Sequence, residues 1–266
     1  MIPPAALPRN AKGRLYHIDC GPGDIAPYVL TCGHPERARK ITRFFDQISV
    51  RRRNREFLTF TGEYKGIPAT VMSTGIGVDN TAIAIIEASQ CAPKLTFIRL
   101  GTCGALQDYI NVGDLIISQT VLRDEKTTHY YAPPEVEARA HPAVLEALKQ
   151  AAAKLGIPHH LGLTCTTADF YAGQGRQAPG FPILNPHKAE EMRRAGVLSF
   201  EMEMSAYFTL AAVSTLKLRA GGACVVVDNP TQAIFNSPKL LHRAENQLIR
   251  TGLLALELMA EEDRKF

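Results

Sequence analysis

Short apolar runs alternate with stretches of helical spacing along most of the chain, and the alternation predicts the elements one by one. Residues 28–32 read as a buried strand. Pro35 suits the first turn of a helix over residues 36–45. Residues 48–50 form a short strand. Residues 55–61 alternate apolar and polar like a half-buried strand, and the turn Tyr64-Lys-Gly-Ile-Pro68 folds them into a hairpin with residues 69–73. An apolar helix over 79–90 leads to a strand through Arg99. Another strand is expected over 112–121, and residues 123–134 are polar and loop-like. His141-Pro142 opens a helix that ends near Gly156, and residues 160–167 are a strand. Residues 169–186 hold three glycines and three prolines and read as a long loop. Helix 188–194, strand 197–200, helix 203–215, strand 220–227 and a closing helix over 239–260 complete the series. This order predicts an α/β fold, a single domain with a mixed central β-sheet flanked by helices on both faces. No composition break marks a linker. The expectation is a loose proline-rich arm over 1–13 and one domain over 14–266.

Composition narrows the classes. The 266 residues suffice for one large core, and the formal charge of +4 includes no long basic block. The densest run, Arg51-Arg52-Arg53, has no interleaved aromatics, so it reads as a solvated edge or subunit contact and gives no support for a nucleic-acid partner. The six cysteines contain no CxxC pair and sit mostly in apolar segments, as small buried hydrophobes in a reducing compartment do. No zinc site, signal peptide or membrane span of ~18 apolar residues is expected, and the reading is a cytoplasmic protein.

Candidate chemistry centres on Thr96-Phe-Ile-Arg-Leu-Gly-Thr-Cys-Gly-Ala105. Arg99 places a charge inside an apolar strand, where a charge is rarely left unpaired. Gly101-Thr-Cys-Gly104 is expected to open a tight turn at the strand's far end, where ligands bind in open parallel sheets. A guanidinium, a hydroxyl and backbone N–H groups there would suit an anion. Two more glycine turns follow strands, at Gly33 and at Thr74-Gly-Ile-Gly77, and arginines 37, 55 and 99 stand near the turns. Neither a dinucleotide fingerprint nor a P-loop is present, so dehydrogenase and kinase readings fall away. Ser199-Phe-Glu-Met-Glu203 carries two acids at a strand–helix junction. One could enter a site while the other caps or pairs, and Glu203 could accept hydrogen bonds from vicinal hydroxyls. Asp169-Phe-Tyr-Ala-Gly-Gln-Gly-Arg176 offers aromatics, an amide and a guanidinium, a set that suits a planar polar ring.

Together these motifs resemble the nucleoside phosphorylase family, and within it the uridine phosphorylases of the hexameric bacterial type. The carrying stretches are Gly33-His-Pro-Glu-Arg37, Arg55-Glu-Phe57, Ser73-Thr-Gly-Ile-Gly77, Arg99-Leu-Gly-Thr-Cys-Gly-Ala105, Asn111-Val-Gly-Asp114, Phe170-Tyr-Ala-Gly-Gln-Gly-Arg176, Phe200-Glu-Met-Glu203 and Asn229-Pro-Thr-Gln232. The resemblance implies reversible phosphorolysis of uridine to uracil and ribose 1-phosphate. Gly33, Arg37, Arg99 and Thr102 would bind phosphate, joined by Arg55 from a neighbouring subunit. Met202 and Glu203 would hold the ribose, with the neighbour's His17 at its 5′-hydroxyl. Phe170, Gln174 and Arg176 would hold the base. Catalysis would rest on Arg99, Thr102, Glu203 and Arg176. Phosphate would be a co-substrate, with no organic cofactor or required metal, and a monovalent cation such as K+ is implied at Glu56 and Ser73. The implied partner is a second copy of the chain, in a dimer-based assembly up to a hexamer.

Three departures stand out. His34 replaces the aspartate usual after the first glycine, Pro230 replaces a family arginine after the last strand, and Asp228 lies near where the purine branch has a base-protonating aspartate. A purine nucleoside phosphorylase and a silent nucleoside-binding relative are the alternatives. A hydrolytic nucleosidase would not need the three arginines.

Overall fold

In the computed structural model the structure describes residues 6–230, 234–235 and 238–265. The chain runs β1 (Tyr28–Cys32), α1 (Pro35–Thr42), β2 (Gln47–Asn54), β3 (Phe57–Tyr64), β4 (Ile67–Ser73), α2 (Val78–Ser89), β5 (Thr96–Ala105), β6 (Leu115–Asp124) and β7 (Ala138–Arg139). It continues α3 (Pro142–Lys154), β8 (His159–Thr167), α4 (Lys188–Arg194), β9 (Ser199–Glu201), α5 (Met204–Val213), β10 (Arg219–Asn229), β11 (Ile234–Phe235) and α6 (Pro238–Asp263). Single 3-10 turns stand at Thr127–Tyr130 and Ala172–Gln174.

The strands form one mixed sheet. β2, β3 and β4 are an antiparallel meander, and β4 joins β1 and then β5 in parallel. β5 also pairs with β10 and β9, and β6 and β8 bridge β10 to β9, so this half closes on itself. Helices cover both faces, as expected. α2 and α5 pack with Phe97 on one face, while α1, α3 and α6 pack with Leu30, Ile98 and Leu100 on the other. Each fully buried large apolar side chain contributes roughly 1.5–3 kcal/mol, so both faces are needed to hold the sheet.

Local chemistry sets the helix starts. His34 and His141 each accept a backbone N–H as N-cap, and a proline follows each at the first helical position. All six cysteines are free and buried, and burial pushes the thiols of Cys20, Cys91 and Cys165 up to about 12.

Several expectations change. Gly101-Thr-Cys-Gly104 is not a turn but the second half of β5. β10 pairs with it in parallel as far as Gly104, and β9 pairs with Gly104 and Ala105, so the chain has partners that keep it extended. The strand expected at 48–50 is the longer β2, whose outer position puts Arg51-Arg52-Arg53 on a sheet edge. Of the loop expected at 123–134, β6 takes Arg123 and Asp124. The rest is pinned by the Arg123 guanidinium, which donates to the carbonyls of Ala132, Pro133 and Val136. At the N-terminus, Arg9 bridges to Leu15, and Leu15 and Ile18 are fully buried. Residues 1–5 and the motif residues Thr231 and Gln232 lie outside the described residues.

Candidate active site

A cleft of about 520 Å³ opens where β1, β5 and β10 end, between the start of α1, the loop before α4, and α6. Gly33, Arg37, Arg99, Thr102, Phe170, Gln174, Arg176, Met202 and Glu203 all line it. The structure thus gathers nine of the sequence-selected residues, from four separate stretches, in one place.

At one end β5 carries Arg99 into the protein, where it is 3 % exposed. Its Nη2 donates to Glu203 Oε2, and its Nε lies 3.4 Å from Glu201 Oε2. Its Nε and Nη1 nonetheless have no hydrogen-bond partner. Burial alone would lower the pKa of this guanidinium, but Glu203, with Glu201, overrides that and raises it, so Arg99 is charged. A buried donor left unmade costs about 1–3 kcal/mol, so the site favours a ligand that brings acceptor oxygens. Gly101 gives the space: a Cβ there would lie 2.8 Å from Arg99 Nη2.

The two acids divide their work as their junction position implied. Glu201 accepts the N–H groups of Glu203 and Met204 and the Thr166 hydroxyl, and so holds the start of α5. Burial, with the Glu203 charge beside it, raises its pKa. Glu203 Oε1 accepts the Gly77 N–H at 2.7 Å while Oε2 takes Arg99. Gly77, at φ +98°, reaches Glu203 only because the turn after β4 folds back.

Arg37 reaches the same end from α1. Its Nε donates to Glu245 Oε1 at 2.8 Å and its Nη1 to the Leu100 carbonyl at 3.0 Å, and Lys40 also pairs with Glu245. Burial would raise the Glu245 carboxyl, but hydrogen bonds from Lys40 and Arg37 hold it below the usual range. Glu245 was missed in the sequence. Its signal is the one that marked Arg99, an ionisable residue within a largely apolar helical pattern. Gly33 is needed for close approach, since a Cβ would lie 2.9 Å from the Gly75 carbonyl oxygen. His34 serves as N-cap of α1, which gives this departure a structural role.

At the other end Arg176 is the hub. Its Nη2 donates to Asp228 Oδ2 at 2.7 Å, its Nε donates to Gln174 Oε1 at 3.1 Å, and the guanidinium lies 4.7 Å from the Phe170 ring centroid. Asn229, next to Asp228, is turned away and donates to the carbonyls of Gln107 and Ile110.

Four selected residues are not in this cleft. Arg55 sits at the β2–β3 turn with φ +52°, its guanidinium 6.0 Å from the Tyr16 ring centroid. His17 Nδ1 is 2.6 Å from Glu87 Oε1, and Glu87 also takes the N–H groups of His17 and Ile18. Ser73 donates to the Glu56 carbonyl at 2.7 Å and accepts the Leu58 N–H, inside the β3–β4 hairpin. A second cavity of about 610 Å³ along β6 and β8 contains none of the selected residues. Among the described residues no group of three His, Cys, Asp or Glu could hold a metal ion, and no helix is long and apolar enough to cross a membrane.

Residues 27–251 match the family model described as the phosphorylase superfamily. The chain is 40 % identical over 265 residues to a uridine phosphorylase of Thermococcus kodakarensis, covering 98 % of this chain and 92 % of that protein. It is 32 % identical to a uridine phosphorylase of Escherichia coli, covering 90 % and 96 %. The solved structure of a Trypanosoma brucei nucleoside phosphorylase, described as showing uridine phosphorylase activity, superposes with a TM-score of 0.88 at 25 % identity, covering 94 % of this chain and 99 % of that one. This chain belongs to the phosphorylase superfamily.

Proposed function

We propose that the protein is a uridine phosphorylase, a pentosyltransferase that cleaves uridine with inorganic phosphate to uracil and ribose 1-phosphate. The observation that carries this reading is the pairing, across one cleft, of the buried Arg99 with two unpartnered nitrogens and the Arg176–Gln174–Phe170 cluster. The first suits a phosphate and the second a planar base with carbonyl oxygens.

The chemistry follows from that placement. A phosphate oxygen attacks the anomeric carbon while the glycosidic C–N bond breaks and its electron pair leaves with the base. Arg99, Arg37 and Thr102 hold the nucleophile, chiefly a positioning effect. Glu203 holds the ribose hydroxyls. The departing base gathers negative charge, which Arg176 and the Gln174 amide N–H groups stabilise where it develops. Gln174 spends its carbonyl on Arg176, so the base end presents donors. A base with an amino group in place of the carbonyl is disfavoured there. No organic cofactor enters these steps.

His17 and Arg55, outside this chain's own cleft, are proposed to complete the cleft of a second copy in a dimer-based assembly up to a hexamer. A monovalent cation is proposed between Glu56 and Ser73 of paired subunits. The buried free thiols favour a reducing, cytoplasmic setting. The deciding experiment is uracil release from uridine by the purified protein with and without phosphate. Saturable phosphate dependence supports the reading, and equal release without phosphate makes the protein a hydrolase. A purine phosphorylase is the second reading, and it rests on Asp228 alone.

A further inference from the structure

Among the described residues Asp228 is the one acid in contact with Arg176 at the base end, and its placement is built. β10 pairs with β5 residue for residue until Val226 meets Cys103; the next pair is Asp228 with Gly104, so Val227 is an extra residue. Such a bulge breaks the two-residue alternation and re-aims the side chain that follows it. Without it Asp228 would continue the face of Cys224 and Val226, which belongs to the core. The receiving position is a glycine for a second reason of space. A Cβ on Gly104 would lie 2.8 Å from Asp228 Oδ1 and 3.0 Å from Arg176 Nη2. Asp228 is 6 % exposed, and its Oδ2 accepts from Arg176 Nη2 at 2.7 Å. Arg176 is thereby gripped from three sides, by Asp228, by Gln174 and by the Phe170 ring, which leaves Nη1 as its undirected donor group.

The geometry points to Asp228 as a specificity-setting positioning residue: its ion pair fixes the Arg176 guanidinium for a pyrimidine base that offers carbonyl oxygens, and in that pair it is spent as a proton donor to a purine. The inference rests on the uridine reading above and deepens it. It also turns the residue that most favoured the purine alternative into a counter-ion for the pyrimidine end. Val227 and Gly104 are then part of the same device, because one aims the carboxylate and the other clears the space it occupies.

The test compares wild type with Asp228→Ala and Asp228→Asn, each checked for a cooperative melt. Steady-state kinetics are run with uridine and with inosine, and amide hydrogen exchange of residues 170–176 is followed without substrate. Asp228→Ala should raise the KM for uridine about ten-fold or more while the KM for phosphate stays within about two-fold. It should also speed exchange across 170–176. Asp228→Asn, whose amide oxygen can still accept from Arg176, should recover part of both, and it carries the kinetics if the alanine variant does not fold. Unchanged uridine KM and unchanged exchange in the variants would overturn the proposal. So would wild-type cleavage of inosine that Asp228→Asn loses while keeping uridine, since that makes Asp228 the proton donor. If wild type releases no uracil at all, the uridine reading fails by itself. The exchange measurement then still decides whether Asp228 fixes Arg176, faster exchange supporting it and no change refuting it.

Discussion

The two ends of the cleft are both organised by an arginine, and they are built in opposite ways. Arg99 rises from the middle of a ten-residue strand, its side chain 3 % exposed, held charged by carboxylates from a neighbouring helix start. Arg176 comes from the long segment before α4, its side chain 27 % exposed, and is steadied by Asp228, Gln174 and a half-exposed Phe170. A buried, rigid cation with unmade hydrogen bonds is ready for one small, highly charged ligand before that ligand arrives. A partly exposed guanidinium on a loop needs a rigid anchor to discriminate between flat neutral rings. The contrast teaches that the nucleophile's place is set by the sheet, while base choice is set by how firmly one loop is tied to the end of β10.

The strongest way to break this contrast is Arg99→Ala. It should lower the phosphate-dependent rate by about 10²–10³-fold with the fold retained, seen by steady-state assay and circular dichroism, because a preorganised cation at the reacting oxygens is lost. Arg176→Ala should cost less, on the order of 10²-fold in kcat/KM for uridine, and leave the KM for phosphate near wild type. Equal effects of the two on phosphate KM would erase the distinction between the ends. Gly104→Ala puts a methyl against the Asp228 carboxylate and should destabilise by roughly 1–3 kcal/mol while raising uridine KM, read by thermal melt and kinetics together.

Glu245→Gln sharpens the phosphate end. It loosens Arg37 and Lys40 and should change phosphate KM by several-fold, leaving uridine KM little altered. The pH dependence has a definite sign. The Glu245 carboxyl is held below its usual range, so its contribution is present above about pH 4.5 and is lost as pH falls through the lowered value. The Gln variant should therefore melt a few degrees lower at neutral pH, with the gap closing in acid.

Most of the framework was legible in the sequence because its signals are local and periodic. Helix starts were marked by His34-Pro35 and His141-Pro142, and strands by apolar runs. Arg99 stood out as a charge inside an apolar strand and Glu203 as an acid at a strand–helix junction, and they prove to be each other's partner. What misled was glycine. Gly101 and Gly104 look like a turn, but they are strand residues that make room for Arg99 and for Asp228 with Arg176. That crowding comes from β10, more than a hundred residues away, and no local pattern carries it. Asp228 was ambiguous for the same reason, since a bulge in strand pairing decides where it points. Glu245 was missed because its partners Arg37 and Lys40 lie two hundred residues upstream on α1.

The central claim is that Arg99 holds a phosphate that attacks a pyrimidine nucleoside. The most direct measurement is the initial rate of uracil formation from uridine as phosphate is titrated, for wild type and Arg99→Ala. The predicted result is a saturable rise from a near-zero rate in wild type and a nearly flat, very low response in the variant. A wild-type rate indifferent to phosphate, or a variant that saturates as wild type does, would contradict the claim.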